Sequence, residues 1–358
     1  MYFNFNVVMQ EPWVKLHIDA KDTENTYAIY IYARKKDSLE FEKIREFWYS
    51  TRKNFFFILE QNYVEVKFKF FIKDQAGQLI HSEVSKNFSR PRKIKTMRQL
   101  DFNSDFDIDF AGNYLIPIRF SITDKSKKIY ILFNGALKEN FDVYPTYNRS
   151  SWKERFNENI FNIYDATLNM VDGYLLGWYQ GTLDQPLEED IVALINKMKL
   201  CRGVSNTDLI FYGSSGGGWA ALKYALLFEG SQAVAINPQI DILKYSAIES
   251  VNKFLNYSCK GLTISEAEKE IGERLKISPD DFQRSKSTFI IAQNIKDTPH
   301  YRDHFLPFWS RFSLEGKEGW DNKKMNYAIV YDHESGHGGE PEEVFSFIQD
   351  MINARKIG

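Results

Sequence analysis

Between Asp208 and Leu222 a serine stands among glycines at the spacing that nucleophilic chemistry needs. Gly213-Ser214-Ser215-Gly216-Gly217 reads G-x-S-x-G, with the apolar run Leu209-Ile210-Phe211-Tyr212 before it and the helix-forming run Trp219-Ala220-Ala221-Leu222 after it. At a sharp strand-to-helix turn the positions two before and two after the serine must be glycine, because a side chain there would meet neighbouring backbone. Such a turn exposes the Ser215 hydroxyl. It also aims the helix N-terminus and the Gly216 amide at the oxyanion that forms when serine attacks a carbonyl. Ser214 is the weaker nucleophile, since Tyr212 stands two residues before it. The plainer alternative is a glycine-rich turn that cradles phosphate. No Lys-Ser or Lys-Thr follows, which leaves a P-loop unsupported, and the glycine spacing does not make a dinucleotide fingerprint.

A serine nucleophile needs a base, and the base needs an acid to orient it. Of six histidines, His337 lies in the loop Asp332-His333-Glu334-Ser335-Gly336-His337-Gly338-Gly339, after the last expected strand and before the last expected helix. Flanking glycines let that loop bend and present the imidazole. His333 is the competitor, and the alternative for either is an exposed loop histidine. For the acid, Asp297 follows the expected strand Thr288 to Gln293, with Asp303 and Asp241 as alternatives and helix capping as the plainer use of such an aspartate. His300 would cap or support rather than catalyse. The order Ser215, Asp297, His337 is that of a hydrolase sheet, which also wants an oxyanion donor after the strand two before the elbow strand. Phe133-Asn134-Gly135-Ala136 fits, through the amides of Asn134 or Gly135, although an ordinary turn would read the same way.

The elements that would position these groups are short buried strands alternating with amphipathic helices. Strands are expected at Ile129 to Phe133, Ile160 to Tyr164, Asp208 to Tyr212, Ala233 to Ile236, Thr288 to Gln293 and Tyr327 to Tyr331. Helices are expected at Leu187 to Lys199, Trp219 to Phe228 and Glu342 to Ala354. That alternation implies an α/β fold, a mainly parallel sheet with helices on both faces and its chemistry at the carboxyl ends of the strands. The first 120 residues read differently. Val64, Val66, Phe68, Phe70 and Ile72 alternate with polar neighbours, Asp74-Gln75-Ala76-Gly77 supplies a turn, and Tyr27 to Ala33 and Phe55 to Glu60 are strand-like. Residues 1–120 are therefore expected to form a small antiparallel, sandwich-like β domain with a possible glycan contact, and 121–358 the catalytic domain. The basic stretch Ser89 to Lys95 reads as a solvated exit, or as a patch for an anionic glycan.

Composition narrows the classes of function. The 358 residues are 43% hydrophobic and 26% charged, ordinary values for a globular chain, which excludes a disordered one. With 46 Lys+Arg against 48 Asp+Glu the net charge is −2, so no general attraction to nucleic acid or an anionic membrane is expected. No apolar run is long enough to span a bilayer, and the N-terminus lacks the look of a signal peptide. Two cysteines make neither a disulfide framework nor a zinc site, and a reduced, cytoplasmic protein is the expectation. No metal is expected either, since His300 and His304 lack partner ligands. The unusual figure is 16% aromatic residues. Tyr174, Trp178 and Tyr179 lie in a glycine-rich loop ahead of the elbow strand, and with Trp219 they are candidates to stack on a substrate sugar; packing against the sheet is the plainer alternative. The stretch Gln239 to Ser285 is long enough to be a lid or a dimerisation element.

At these residues, over about 129–358, the chain resembles the α/β-hydrolase superfamily. More narrowly, Tyr212-Gly213-Ser214-Ser215-Gly216-Gly217-Gly218, Asn237-Pro238-Gln239 and Gly336-His337-Gly338 look like hydrolase-fold proteins of bacterial surface glycans, among them capsule O-acetyltransferases and the accessory secretory-system acetyltransferases that modify glycosylated adhesins. The resemblance implies a carboxyl ester hydrolase or O-acyltransferase acting on a carbohydrate or small acyl ester. An esterase would need no cofactor, and a transferase would draw on a donor such as acetyl-CoA. A hydrolase fold kept as a glycan-binding or assembly protein without turnover is the rival. A homo-oligomer is compatible with either. The β-rich N-terminal segment lies outside the common hydrolase core.

Overall fold

The computed structural model describes the chain apart from residues 1–2, 11–12, 22–23, 36–37, 61, 90–92, 95–105, 112, 124–125, 138–144, 171–173, 314–317 and 355–358. Most of the basic stretch at Ser89 to Lys95, and Asp172 and Gly173 of the aromatic loop, fall outside the described residues. The chain divides into two compact units, Met1–Arg92 with Asn140–Thr146, and Lys93–Glu139 with Tyr147–Gly358.

The first unit is antiparallel. β1 (Phe3–Gln10), β2 (Trp13–Ala20) and β5 (Asn54–Ile58) form one sheet. β3 (Thr26–Lys35), β4 (Phe41–Ser50), β6 (Tyr63–Lys73), β7 (Leu79–Val84) and β8 (Phe88–Ser89) form the other. Leu16, Ile18, Phe55 and Phe57 of the first sheet share an apolar cluster with Ile29, Ile31, Val66, Phe68 and Phe70 of the second. This is the sandwich that the period-two alternation in β6 implies. The turn after β6 closes through the Gly77 amide on the Asp74 carbonyl at 3.0 Å.

The second unit is built on a ten-stranded sheet. Its centre is six parallel strands, β13 (Asn159–Ile163), β12 (Ile129–Phe133), β14 (Leu209–Ser214), β15 (Gln232–Ile236), β16 (Thr288–Asn294) and β18 (Tyr327–Tyr331), side by side in that order. Helices cover both faces because β12 to β16 are buried almost without interruption, so each strand presents apolar side chains to both sides of the sheet. Tyr130, Leu132, Ile210, Tyr212, Val234 and Ile236 pack with the helix Glu342–Ala354 through Val344, Phe345 and Ile348. On the other face the Phe133 ring stacks on Tyr224 of the helix Gly216–Leu227, centroids 5.1 Å apart. The fold is the expected α/β-hydrolase-like one.

The dividing line between the units is not at 120. β10 (Phe106–Ala111) and β11 (Leu115–Ser121) extend the large sheet, with β11 antiparallel to β13 in the register Ile118 to Ile163 and Phe120 to Phe161. Phe120 and Phe161 meet edge to face with centroids 5.6 Å apart, a pairing worth about 0.5–1.5 kcal/mol beyond its buried area. Strand composition is local, whereas the partner a strand chooses is not, so composition alone groups these two strands with the sandwich. At the edges, β9 (Lys93–Ile94) pairs with β10 and β17 (Gly319–Trp320) with β18.

Candidate active site

β14 ends in a turn that a non-glycine residue enters at a cost. Ser215 has φ 56° and ψ −124°, a conformation that costs of order 1–3 kcal/mol and persists only where the surroundings enforce it. Here they do. A Cβ at Gly213 would lie 2.1 Å from the Gly217 carbonyl oxygen, and one at Gly217 would lie 2.5 Å from that of Phe133. The Ser215 amide is held by the Ile236 carbonyl at 2.9 Å, and its own carbonyl starts the next helix by accepting from Trp219 at 3.0 Å. Gly216 is the first residue of that helix, so its N–H has no partner within the helix and faces the region where a developing anion is favoured.

The loops after three other strands converge on Ser215. His337 Nε2 lies 2.9 Å from Ser215 Oγ, and His337 Nδ1 lies 2.5 Å from Asp297 Oδ2. Ser215, Asp297 and His337 are thus brought together in one hydrogen-bonded line, with Ser215 and Asp297 buried and the His337 side chain 37% exposed at the rim. The histidine loop is strapped to the sheet edge by two carboxamides. Asn294 Nδ2 donates to the His333 and Gly336 carbonyls, and Asn237 Nδ2 donates to the Gly338 carbonyl. The rivals lie elsewhere: His333 bonds Ser335 on the surface, Asp303 pairs with Arg302, and Asp241 caps the Leu243 amide. Ser214 is taken by the Arg149 guanidinium at 2.5 Å.

Two further side chains complete a ring: His300, expected to cap or support the site, and Gln239, whose contact with the serine no spacing in the sequence marks. His300 Nδ1 lies 2.9 Å from Asp297 Oδ1, so the one carboxylate serves two imidazoles. Gln239 Nε2 contacts both Ser215 Oγ at 2.8 Å and His300 Nε2 at 2.9 Å. The His300 ring also stacks on His337, centroids 4.1 Å apart at 20°. Burial works against the charge on Asp297, yet the N–H bonds from His300 and His337, with the positive potential of the two rings, outweigh it and hold the carboxyl well below the usual carboxylate range. For His300 burial dominates and lowers its pKa, with Asp297 opposing. Among the described residues Asp297, His300 and His337 also form the grouping compatible with a metal ion, their ligand atoms within 4.8 Å of one another; each imidazole Nδ1 is hydrogen-bonded to one Asp297 oxygen.

Two expectations are corrected. Tyr174, Trp178, Tyr179 and Trp219 are all buried, at 3% exposure or less, so they offer no ring face to a sugar. Their loop packs under the elbow instead: a Cβ at Gly216 would lie 2.5 Å from Leu176 and 3.2 Å from Trp178. The Asn134 amide, expected to face an oxyanion, donates to Tyr179 Oη at 2.6 Å, and the Asn134 Oδ1 accepts from the Asn148 amide. Gly135 does lie against the elbow, where a Cβ would stand 3.4 Å from that of Ser215. The stretch Gln239 to Ser285 carries the helices Ile248–Ser258, Ile264–Leu275 and Pro279–Arg284 and is tied to the aromatic loop, with Ser258 bonded to Tyr174 and Arg274 to Gln180.

Sequence reasoning also missed a buried ion pair beside the site. Arg149 Nη2 lies 2.6 Å from Glu340 Oε2, with side chains 10% and 0% exposed, and Tyr212 Oη donates to Glu340 Oε1. Arg149 and Glu340 are far apart in the chain, and no local pattern marks them.

Comparison with known protein families returns no match, and comparison with characterised protein sequences returns none either. Solved structures do match. A structure of the glycosylation-associated protein Gap123 complex from Streptococcus agalactiae is similar over 98% of this chain and 70% of that one, with a TM-score of 0.53 and 13% identity. The capsule O-acetyltransferase of Neisseria meningitidis serogroup A matches over 69% of this chain and 94% of its own, with a TM-score of 0.51 and 16% identity. A histidine-to-alanine mutant of that enzyme in complex with CoA matches over the same shares at a TM-score of 0.50. Among the described residues no helix is long and apolar enough to cross a membrane. At such identities the likeness is one of fold: the chain has an α/β-hydrolase-like architecture that resembles a capsule acyltransferase and a glycosylation-associated protein.

Proposed function

We propose that the protein is a serine-dependent acyl-transfer enzyme, an O-acetyltransferase or esterase whose substrate is a bacterial surface carbohydrate. The observation that carries this reading is the hydrogen-bonded line from Ser215 through His337 to Asp297 at 2.9 and 2.5 Å, beginning on a strained elbow. In this reading Ser215 Oγ attacks the acyl carbonyl while His337 Nε2 takes its proton. Asp297 keeps the His337 proton on Nδ1, so that Nε2 is free to act as base. The amides of Gly216 and Gly135 receive the oxyanion, and Asn134 acts only by shaping the loop. Transfer to water gives an esterase and transfer to a sugar hydroxyl an O-acetyltransferase. The carbohydrate class rests on the two glycan-related neighbours, and acetyl-CoA as donor on the CoA complex of one of them.

The first test is labelling of the full chain by a fluorophosphonate probe together with turnover of an aryl acetate. Labelling is expected for the wild type and for Ser214→Ala, and is expected to vanish in Ser215→Ala. A wild type that neither labels nor turns over sinks the reading. It would favour the second one, a glycan-binding or assembly role without turnover, which the 98% coverage by a glycosylation-associated complex supports. Supplying acetyl-CoA with candidate glycans and weighing the products separates transferase from esterase.

A further inference from the structure

The indole of Trp178 decides which way the Gln239 carboxamide faces. An indole N–H can only donate, and Trp178 Nε1 lies 3.2 Å from Gln239 Oε1. The oxygen is therefore the acceptor of that bond, and the NH₂ group faces Ser215 Oγ and His300 Nε2. Each of its two hydrogens then has one acceptor. His300 Nε2 accepts, so its proton sits on Nδ1 and is donated to Asp297 Oδ1. Ser215 Oγ accepts from Gln239, which leaves its own hydrogen for His337 Nε2. With His337 Nδ1 donating to Asp297 Oδ2, the five side chains close a ring in which every hydrogen is used once.

We infer that Gln239 is a fourth catalytic group, which holds Ser215 Oγ through a carboxamide N–H both when the serine attacks and when it leaves, and that His300 is the positioning residue that keeps Gln239 in place. The inference deepens the serine-dependent reading and rests on it. In the first half-reaction the Oγ–carbon bond forms, the carbonyl π pair moves onto its oxygen, and the hydroxyl proton passes to His337 Nε2; the π bond then re-forms as the donor's leaving group departs with its bonding pair and takes that proton. In the second, water or a sugar hydroxyl bonds to the acyl carbon and gives its proton to His337 Nε2, and as the acyl–Oγ bond breaks the pair returns to Oγ, which recovers that proton from His337 Nε2. At both stages Oγ carries developing negative charge, and a fixed donor 2.8 Å away stabilises it.

The mounting of Gln239 is rigid from three sides. Gln239 is fully buried. The following residue is pinned as well, with the Ile240 amide donating to His304 Nδ1 at 3.2 Å. His300 and His304, one helical turn apart, thus grip the side chain of one residue and the backbone of the next. The aromatic loop supplies Trp178 from the far side, with the indole packed edge-on to Tyr245 and Phe254. That gives the buried aromatics a task other than stacking on substrate.

The test compares acylation rates by the fluorophosphonate and steady-state turnover of an aryl acetate in full-length variants whose thermal melts match wild type. Gln239→Leu and Gln239→Glu, which both lose the donor, are expected to lower acylation and kcat by about 10²-fold with KM nearly unchanged, the mark of a group acting on a reacting atom. At position 300 the two amide variants separate the roles. His300→Gln can present an acceptor where Nε2 stood and should retain most activity. His300→Asn can only replace the Nδ1 donor and should fall with Gln239→Leu. The double variant Gln239→Leu with His300→Asn should be no slower than Gln239→Leu alone. A labelled wild type with Gln239 variants that acylate equally fast overturns this inference and leaves the serine reading standing, whereas an unlabelled wild type overturns both. His300→Asn outperforming His300→Gln would overturn the role given to His300.

Discussion

Two aspartates at the carboxyl edge of the same sheet are almost equally buried, at 3% and 4% exposure, yet their environments push them in opposite directions. Asp165 follows β13 and takes its bonds from the Thr167 amide at 3.0 Å, the Tyr179 amide at 2.9 Å and the Thr167 hydroxyl. Burial dominates there and pushes its carboxyl up to about 6, with the amide bonds and the Thr167 hydroxyl opposing. Asp297 follows β16 and takes its bonds from two imidazoles, which hold it ionised well below the usual range. Depth does not distinguish a carboxylate that shapes a loop from one that can direct a base. The difference lies in whether the donors are amides and a hydroxyl, which hold geometry, or rings whose protons can be placed.

The sharpest way to break that comparison is to neutralise each carboxylate in turn. Asp297→Asn would let the His337 proton move to the wrong nitrogen, and kcat for an aryl acetate is expected to fall by about 10⁴-fold with little change in the melt. Asp165→Asn leaves both histidines untouched, so the loss in rate should be far smaller and appear together with a lower melting temperature. Equal losses of rate in the two variants would mean that Asp165 belongs to the chemistry.

Much of this contrast was legible in the chain and some was not, for physical reasons. The elbow is a local steric fact: Gly213 and Gly217 are required within a few residues of Ser215, so the motif carries its own geometry. Asp297 and His337 were legible because loops after parallel strands meet at one edge. The part assigned to Gln239 was not: Asn237-Pro238-Gln239 stands out only by resemblance, and a carboxamide after β15 has no spacing that gives it a task. Its role appears only when Trp178 and His300, 61 residues away on either side, are in contact with it. The fate of Trp178, Tyr179 and Trp219 was equally hidden, because composition shows that a loop is aromatic and not which way the rings turn. The same holds for β11, whose alternation marks a strand but not that β13 will be its neighbour.

Glu340 adds a third buried carboxylate that sharpens the distinction. It stands three residues beyond His337, but its partner Arg149 is permanently charged and bonds Ser214 rather than Ser215. It should therefore behave like Asp165. Glu340→Ala would leave the guanidinium buried without its counter-charge, a loss of about 3–5 kcal/mol of stability by denaturant melt. Arg149→Met with Glu340→Leu should recover much of that loss, since no charge is then left without a partner. A full-stability variant with collapsed turnover would move Glu340 to the other side of the comparison.

The smallest effect is read from pH. The folded-state pKa of Asp165, about 6, exceeds the ordinary aspartate value of about 3.9. The native state therefore holds a proton that the unfolded chain has released between those two values. The stabilisation this brings is complete below about pH 4 and is lost as pH rises through about 6, in total about 3 kcal/mol for a two-unit difference. The pH dependence of the stability difference between wild type and Asp165→Asn isolates it: wild type should lose ground steadily from about pH 4 to about pH 6.5 and then level off. Asp297 carries the opposite sign, with a depressed pKa whose stabilisation is fully present above about pH 4 and is lost only in more acid solution. The Asp297 carboxylate therefore leaves its mark only in acid, where the stability difference between wild type and Asp297→Asn should shrink as pH falls below about 4. A difference that does not shrink there would mean that the imidazoles do not hold Asp297 ionised, and the contrast between the two aspartates would fail.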